Sequence, residues 1–425
     1  MKKSSLHLTR PGGAIAFGIA VLCGLGVACI YATERASGGW PVNTLKQALF
    51  ILAGVSAGLV VLRIGYERVA RYAYPLFAIA VVLLIPLMIA KLSGFEFGGL
   101  VPGRRGAHRW IRLPGFQLQP SEFMKIAYVV ALAQYLRYRR NYRMLRGVTV
   151  PIVLSIVPVL LILLEPDLGT VLLMIPVLVI LLFAAGARKR HLLLFAGIAF
   201  VAAPLVWGRI ADYQRLRITG VLLQSKSLRD RIIEHPERYR HVCTKRQALE
   251  WEVGSGMQLV RSKAALGSGG LIGEGWGQGT YVQYNFLPDR HNDFVFALVG
   301  HQWGFAGCLV VLACYVVIVV AAAEIASATV EPFGRLLAVG VLSLVATQVV
   351  INIGMTAGLM PITGMTLPFV SYGGSSLLTS FVAAALIISV SQRRPFMLAK
   401  KPFDYAEPSP PPVPRDRPAE TPAGV

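Results

Sequence analysis

WGFAGCLVVLACYVVIVVAAA, residues 303–323, is an uncharged run of about 20 residues, the length a helix needs to cross a bilayer core. It reads as a membrane-crossing helix. Immediately upstream, Asn285 to Gly300 reads NFLPDRHNDFVFALVG, where a polar segment gives way to an apolar one. Four ionisable groups (Asp289, Arg290, His291, Asp293) crowd against Phe294, Val295 and Phe296. A carboxylate at the edge of an apolar wall tends to have a raised pKa, which suits a general base or a metal ligand. The same residues also suit a polar lip where a helix enters lipid, with Asn292 or Asp293 as its N-cap.

Similar runs recur near 14–33, 46–62, 74–91, 121–137, 147–165, 168–186, 191–210, 335–356 and 375–391. With 55% hydrophobic and 15% charged residues among 425, the chain is read as an all-α polytopic membrane protein of about ten spans. A formal net charge of +21 raises the question of nucleic acid. Much of the Lys and Arg, however, lies in short inter-span loops, so nucleic-acid binding is not expected. Lys2, Lys3 and Arg10 precede the first span, and Arg63, Arg68 and Arg71 follow the second. Arg137, Arg139, Arg140, Arg143 and Arg146 follow the fourth, Arg188, Lys189 and Arg190 the sixth, and Arg393, Arg394, Lys400 and Lys401 the last. All fall on one side if both termini are cytoplasmic.

The expected division is a cytoplasmic N-terminus at 1–13, spans 1–7 over 14–210, a large extracytoplasmic loop at 211–302, spans 8–10 over 303–391, and a proline-rich, disordered cytoplasmic tail at 392–425. The basic start MKKSSLHLTRPGG is followed by a run with no small-residue cleavage site, so that run reads as a first span. Of five cysteines only Cys243 lies in a polar loop, and neither a disulfide framework nor zinc spacing appears.

The loops opposite the basic ones hold the unusual residues. Residues 92–120 carry Arg104, Arg105, His108, Arg109 and Arg112 beside Trp110 and Phe116, which fits either an anionic headgroup site or an interfacial amphipathic segment. In QPSEFMK, Gln119 to Lys125, Pro120 and Ser121 suit a helix start. Glu122 and Lys125, three apart, share a face and can neutralise each other, as a structural pair or as a cavity wall. EPDLGT, 165–170, reads as a tight turn with interfacial acids.

The segment 211–292 is too long for a simple connection. It opens with YQRLR, has a charged helix-compatible middle, and turns glycine-rich in RSKAALGSGGLIGEGWGQGT, 261–280. No Lys-Ser/Thr follows those glycines, so this is not a Walker A loop. A flexible loop is the default, with a phosphate cradle beside Arg261 and Lys263 as the other reading. Gln348 and Asn352 interrupt an apolar span and are expected to face the bundle interior. Gly358 to Ser376, GLMPITGMTLPFVSYGGSS, reads as a re-entrant or cavity-lining loop, because irregular backbone at membrane depth must be covered.

Together, RWIRLPGFQLQPSEFMK, EPDLGT, SKAALGSGGLIGEGWGQGT, FLPDRHNDFVFALVG and NIGMTAGLMPITGMTLPFVSYGGSSL resemble the motifs of the SEDS family, the RodA, FtsW and SpoVE proteins of bacterial wall synthesis. They recur in the family's order over nearly the whole chain. The resemblance implies a peptidoglycan glycosyltransferase that polymerises lipid II at the outer face of the cytoplasmic membrane, with inversion, and releases undecaprenyl pyrophosphate. It implies that Asp293, in the stretch His291-Asn292-Asp293-Phe294, is the essential aspartate, acting either as a base or as a ligand to a divalent cation such as Mg or Mn. By the same resemblance Lys263 and Arg109 recognise pyrophosphate, Trp110 lines the cavity, and Glu122 and Lys125 shape it. Ser371, Tyr372, Gly373, Gly374 and Ser375 match the family's SYGGS loop and line the same cavity. A class B penicillin-binding protein is the implied partner.

Two departures stand out. Where the family usually has an acidic pair, this chain has His301 and Gln302, which puts a second acid in doubt. The loop around 225–252 is also longer than the family pattern and is a candidate partner surface. A lipid II transporter and a catalytically weakened scaffold remain the competing readings.

Overall fold

The computed structural model describes residues 8–36, 38–95, 97–103, 108–113, 116–138, 145–207, 212–254, 256–284 and 292–392. Expectations placed on Lys2, Lys3, Arg104, Arg105, Arg139, Arg140, Arg143, Asp289, Arg290, His291 and the 393–425 tail lie outside the described residues.

Helices stand at every stretch read as a span. The chain opens with α1 (Arg10–Ala36), α2 (Val42–Ile64), the short α3 (Tyr66–Arg71) and α4 (Ala73–Ser93). A small antiparallel hairpin follows, β1 (Ile111–Leu113) with β2 (Phe116–Leu118). Next come α5 (Pro120–Leu136), α6 (Leu145–Leu164), α7 (Leu168–Ala184) and α8 (Lys189–Trp207). The long intervening segment is itself folded into α9 (Asp212–Thr219), α10 (Lys226–Glu234), α11 (Lys245–Leu249), α12 (Met257–Ser268) and α13 (Thr280–Gln283). Finally, α14 (Val295–Ala328), α15 (Pro332–Thr356) and α16 (Gly374–Gln392) complete the bundle. Among the described residues seven helices, α1, α2, α4, α6, α14, α15 and α16, are long and apolar enough to cross a membrane, and α7 is a shorter apolar helix.

Local chemistry sets the helix starts. Pro120 occupies the first turn of α5, where a missing N–H leaves no bond unmade. The Asp167 carboxylate caps α7 by accepting from Thr170, and Glu331 caps α15 by accepting from the N–H groups of Phe333 and Gly334. Glu331 also pairs with Arg137 at 3.4 Å, tying the start of α15 to the end of α5. The Thr9 and Ser391 hydroxyls, 2.9 Å apart, join the start of α1 to the end of α16.

Helices α15 and α16 form the enclosed centre, packed by α1, α2, α5, α7 and α14. By contrast, α2 and α4 present rows of exposed apolar side chains, such as Leu45, Leu49 and Leu52, and Ile79 and Val82. In water such a face is a liability, but in hydrocarbon it is the expected outer wall.

Two expectations need correction here. The span placed at 303–323 belongs to a helix that starts earlier, at Val295, and breaks at Gly304 (φ 63°, ψ −158°). The glycine-rich segment is no flexible loop: it plugs that break. The N–H groups of Phe305 and Ala306, robbed of their helical acceptors, donate to Gly270 O (2.9 Å) and Leu271 O (3.0 Å). The orphaned carbonyls of His301 and Gln302 accept instead from Glu274 N (3.0 Å) and Gly275 N (3.1 Å). Buried backbone groups must be paired, so the loop replaces what the kink removes. A Cβ on Gly273 would lie 2.2 Å from Gln302 O, so glycine is needed for close approach as well as for its φ of +85°.

Candidate active site

Asp293 lies in the turn just before α14, half-buried, and is not its cap: the N-cap position belongs to Phe294, with no side-chain capping bond. The backbone around Asp293 is held from two directions. Asn352, fully buried in α15, donates through Nδ2 to Asp293 O at 3.0 Å and to Met365 O at 2.6 Å. The Ser371 hydroxyl donates to Asn292 O and accepts from Leu367 N at 2.8 Å. The irregular segment after α15 is therefore stitched to the Asp293 turn, as a cavity-lining loop requires.

The carboxylate end of Asp293 reaches toward Gly364 and Arg217. A Cβ on Gly364 (φ +74°) would sit 3.5 Å from Asp293 Oδ2 and 3.7 Å from Arg217 Nη1. Arg217 comes from α9 and donates to Thr363 O at 3.4 Å. The sequence contained this arginine in the YQRLR stretch, but nothing in its neighbours revealed that α9 folds back over the 358–373 segment.

A polar relay runs from this rim into the bundle. Gln348 Nε2 donates to Thr366 O at 2.9 Å, and its Oε1 accepts from Lys125 Nζ at 3.3 Å. Lys125 pairs with Glu122 at 2.8 Å, and Thr379 donates to Glu122 Oε2 at 3.2 Å. Both charges are buried, so the expected pair exists and faces a cavity of about 10 Å3, room for about one water.

A second cluster holds the hairpin. Ser375 Oγ donates to Gln117 O at 2.9 Å and accepts from Gln119 N at 3.1 Å. Gln119 Nε2 (3.1 Å), Ser121 Oγ (2.9 Å) and Thr170 Oγ1 (2.9 Å) all donate to Asp167 Oδ2. Arg109 donates to the main-chain oxygens of Glu165 and Pro166. The acids of EPDLGT are thus buried rather than interfacial, Glu165 at 0% and Asp167 at 4% exposure. Burial, reinforced by the Asp167 charge and opposed by Arg109, pushes Glu165 up to about 9. Burial works the same way on Asp167, but Arg109 and the hydrogen bonds from Ser121 and Thr170 outweigh it and hold Asp167 below its ordinary value.

Of the other expected site residues, Lys263 is exposed on α12 and donates to Gln224 Oε1 at 2.9 Å, while Gln224 Nε2 donates to Gly358 O at 2.7 Å. Its neighbour Ser262 donates to Thr356 O at 3.0 Å, one turn beyond Asn352. That puts Lys263 at the rim on which Asp293 sits. Trp110 is half-buried directly before β1. Tyr372 is half-buried beside Phe50 (ring centroids 6.2 Å apart), and the carbonyl of Ser371 accepts from Gln47 Nε2 at 3.1 Å.

His301 and Gln302, standing where the family has acids, are fully buried and engaged elsewhere. His301 Nδ1 meets Ser268 Oγ at 2.8 Å, and Gln302 accepts from Gly277 N at 3.1 Å and reaches Cys29 Sγ at 3.6 Å. They lock the glycine segment to α14. Among the described residues no group of three His, Cys, Asp or Glu converges to hold a metal. Among the described residues Asp293 offers one carboxylate, a donor that suits Mg2+ only where phosphate oxygens complete the shell.

An apolar helical bundle with a carboxylate, a guanidinium and an ammonium gathered on irregular backbone at one end defines a polytopic membrane protein with a polar site at that end. The model of the family of FtsW, RodA and SpoVE, described as "Cell cycle protein", matches residues 14–395, and the chain belongs to that family. It is 36% identical over 350 residues to a probable peptidoglycan glycosyltransferase FtsW of Trichlorobacter lovleyi, covering 81% of this chain and 82% of that one. It is 33% identical over 338 residues to the peptidoglycan glycosyltransferase MrdB of Escherichia coli K12, covering 79% and 80%. Stage V sporulation protein E of Bacillus subtilis matches at 33% over 350 residues, covering 82% and 86%. Among solved structures, a chain from "Structural coordination of polymerization and crosslinking by a peptidoglycan synthase complex" superposes with a TM-score of 0.70 at 27% identity, covering 92% of this chain and 99% of that one. The Thermus thermophilus rod shape determining protein RodA shares the fold at 24% identity and a TM-score of 0.62, covering 92% and 98%.

Proposed function

We propose that this protein is a peptidoglycan glycosyltransferase that polymerises lipid II at the outer face of the bacterial cytoplasmic membrane, with both termini in the cytoplasm. The observation that carries the reading is the Asp293 turn. Its backbone is clamped by Asn352 and Ser371 while its carboxylate faces Gly364 beside Arg217. Main-chain contacts fix the turn that carries this base, and proton transfer by a positioned base contributes roughly 10²–10⁴-fold in such reactions. Asp293 takes the proton from the acceptor sugar's 4-hydroxyl as that oxygen attacks the donor's anomeric carbon. The configuration inverts, and undecaprenyl pyrophosphate leaves.

Arg217 and Lys263 lie on the same rim and supply positive charge toward the pyrophosphate. Arg109 was assigned to this role by resemblance, but its guanidinium holds the α6–α7 turn, so its contribution is to place that turn. A divalent cation fits beside Asp293 when pyrophosphate oxygens complete its coordination, and it would stabilise charge on the leaving group. The polymer needs cross-linking, and a class B penicillin-binding protein is the partner of matching chemistry. The similar chain of known structure comes from a peptidoglycan synthase complex that coordinates polymerization with crosslinking, which supports such an arrangement. The scaffold reading loses its motive, since His301 and Gln302 are absorbed by the α14 break.

The test is glycan polymerisation from labelled lipid II by the purified protein with its penicillin-binding protein, with and without Mg2+, beside Asp293→Asn. Polymer from the native protein and a loss of at least about 10²-fold in the variant, with both equally folded, is the expected result. Equal polymer from both removes Asp293 from the chemistry.

A further inference from the structure

A second polar concavity lies between α9 and the turn that joins α10 to α11. Its volume is about 200 Å3. Arg215, Arg240, His241, Cys243, Thr244 and Gln247 line it, and among the described residues no Asp or Glu does. Both walls are tied to the last residue of α8: Trp207 Nε1 donates to His241 O at 2.9 Å, and Arg215 Nε donates to Trp207 O at 3.1 Å. The cavity is therefore fixed at the end of an apolar helix. Along α8, Leu193, Ile198 and Val201 are 71%, 55% and 74% exposed, as on a helix bathed in lipid. A tryptophan at such a helix end marks the headgroup level of a bilayer.

From this geometry we infer that the cavity binds the phosphate of an anionic phospholipid headgroup. A guanidinium at headgroup depth meets phosphodiesters at high local concentration and is drawn to an anionic surface. Arg240 is exposed, and its side chain makes no hydrogen bond or ion pair among the described residues, so its donor fork is available. Thr244 and Gln247 hold each other in a capping box that fixes the floor. The inference gives the long 225–252 segment a lipid ligand. It also has a route to the catalytic rim, because Arg215 and Arg217 lie two apart on α9, one at each site.

The test uses the full-length protein in a neutral detergent, with bound lipid counted by native mass spectrometry. Dioleoyl phosphatidylglycerol, dioleoyl phosphatidylcholine and inorganic phosphate are titrated against the native protein, Arg240→Gln and Arg246→Gln. The last is a control of equal charge change, since Arg246 is exposed on α11, outside the cavity, and pairs with Glu250 at 3.0 Å. Expected are tighter binding of the glycerol lipid than of the choline lipid, a loss of about fivefold in Arg240→Gln, and no loss in Arg246→Gln. Equal binding of both lipids by the native protein overturns the inference without recourse to any variant, as does an equal loss in both variants. Displacement of the glycerol lipid by an equimolar amount of inorganic phosphate reassigns the cavity to a soluble anion and overturns the lipid assignment.

Discussion

The side-chain amide of Asn352 grips the main chain of Asp293 rather than its carboxylate, donating to the carbonyl at 3.0 Å. The same nitrogen holds Met365 O, so one buried residue sets the distance between the Asp293 turn and the segment opposite. Displacing a reacting group by about 1 Å can cost about 10²-fold in rate. Asn352→Ala is accordingly expected to lower kcat by about that factor while leaving KM for lipid II nearly unchanged. Steady-state polymerisation at varied lipid II checks this, and a rise in KM with kcat preserved would make Asn352 a binding residue instead.

The Glu122–Lys125 pair is buried, and removing one partner strands the other. Glu122→Gln should lower stability by about 3–5 kcal/mol, whereas Glu122→Gln combined with Lys125→Met should recover most of that loss. Thermal unfolding in detergent of the two single variants and the double variant measures the coupling. Additive losses would show that the pair acts through its separate hydrogen bonds to Thr379 and Gln348.

Stability should fall with rising pH through Glu165. Its folded value near 9 lies above the ordinary 4.5, so the native state keeps a proton that the unfolded chain has lost. Unfolding therefore takes up no proton here but releases one, and the contribution is complete below about pH 4.5 and gone above about pH 9. Asp167 works with the opposite sign, its contribution being lost as pH falls through its lowered folded value. Glu165→Gln is expected to flatten the decline between pH 5 and 9 and to raise the midpoint at pH 8.5 by about 2–4 °C. An unchanged slope in the variant would mean that Glu165 is ionised in the native protein.

Restoring an acid at the departing motif should not help. Gln302→Glu keeps an acceptor for Gly277 N but loses the donor to Cys29 and buries a charge. A loss of about 1–3 kcal/mol with no gain in polymer is expected. A variant that melts like the native protein and polymerises faster would place position 302 in the catalytic electrostatics.

What could be read from the chain follows the range of the interactions involved. The helices were legible because apolar periodicity and length are local, and Glu122–Lys125 was legible because one helical turn separates its members. Gln348 and Asn352 announced themselves as amides in apolar surroundings. Arg217 and Asp167 did not, for their partners (Thr363 for one, Ser121 and Gln119 for the other) arrive from distant elements. The glycine segment misled for a different reason. Glycine marks both a loose chain and a tight backbone approach, and only the break at Gly304 decides between them. His301 and Gln302 were weighed as absent acids, whereas the structure uses them as mortar for that break.

That break also governs how the protein tolerates length changes. In a continuous helix, one inserted residue rotates everything beyond it by about 100°. In α14 the short half from Val295 to Trp303 takes its orientation from the strands of loop laid across its end, and not from the long half that follows. Because the N–H groups of Phe305 and Ala306 are held by the same loop, a residue inserted beyond them rotates the rest of the long half while Val295–Trp303, and the Asp293 turn before it, keep their anchors.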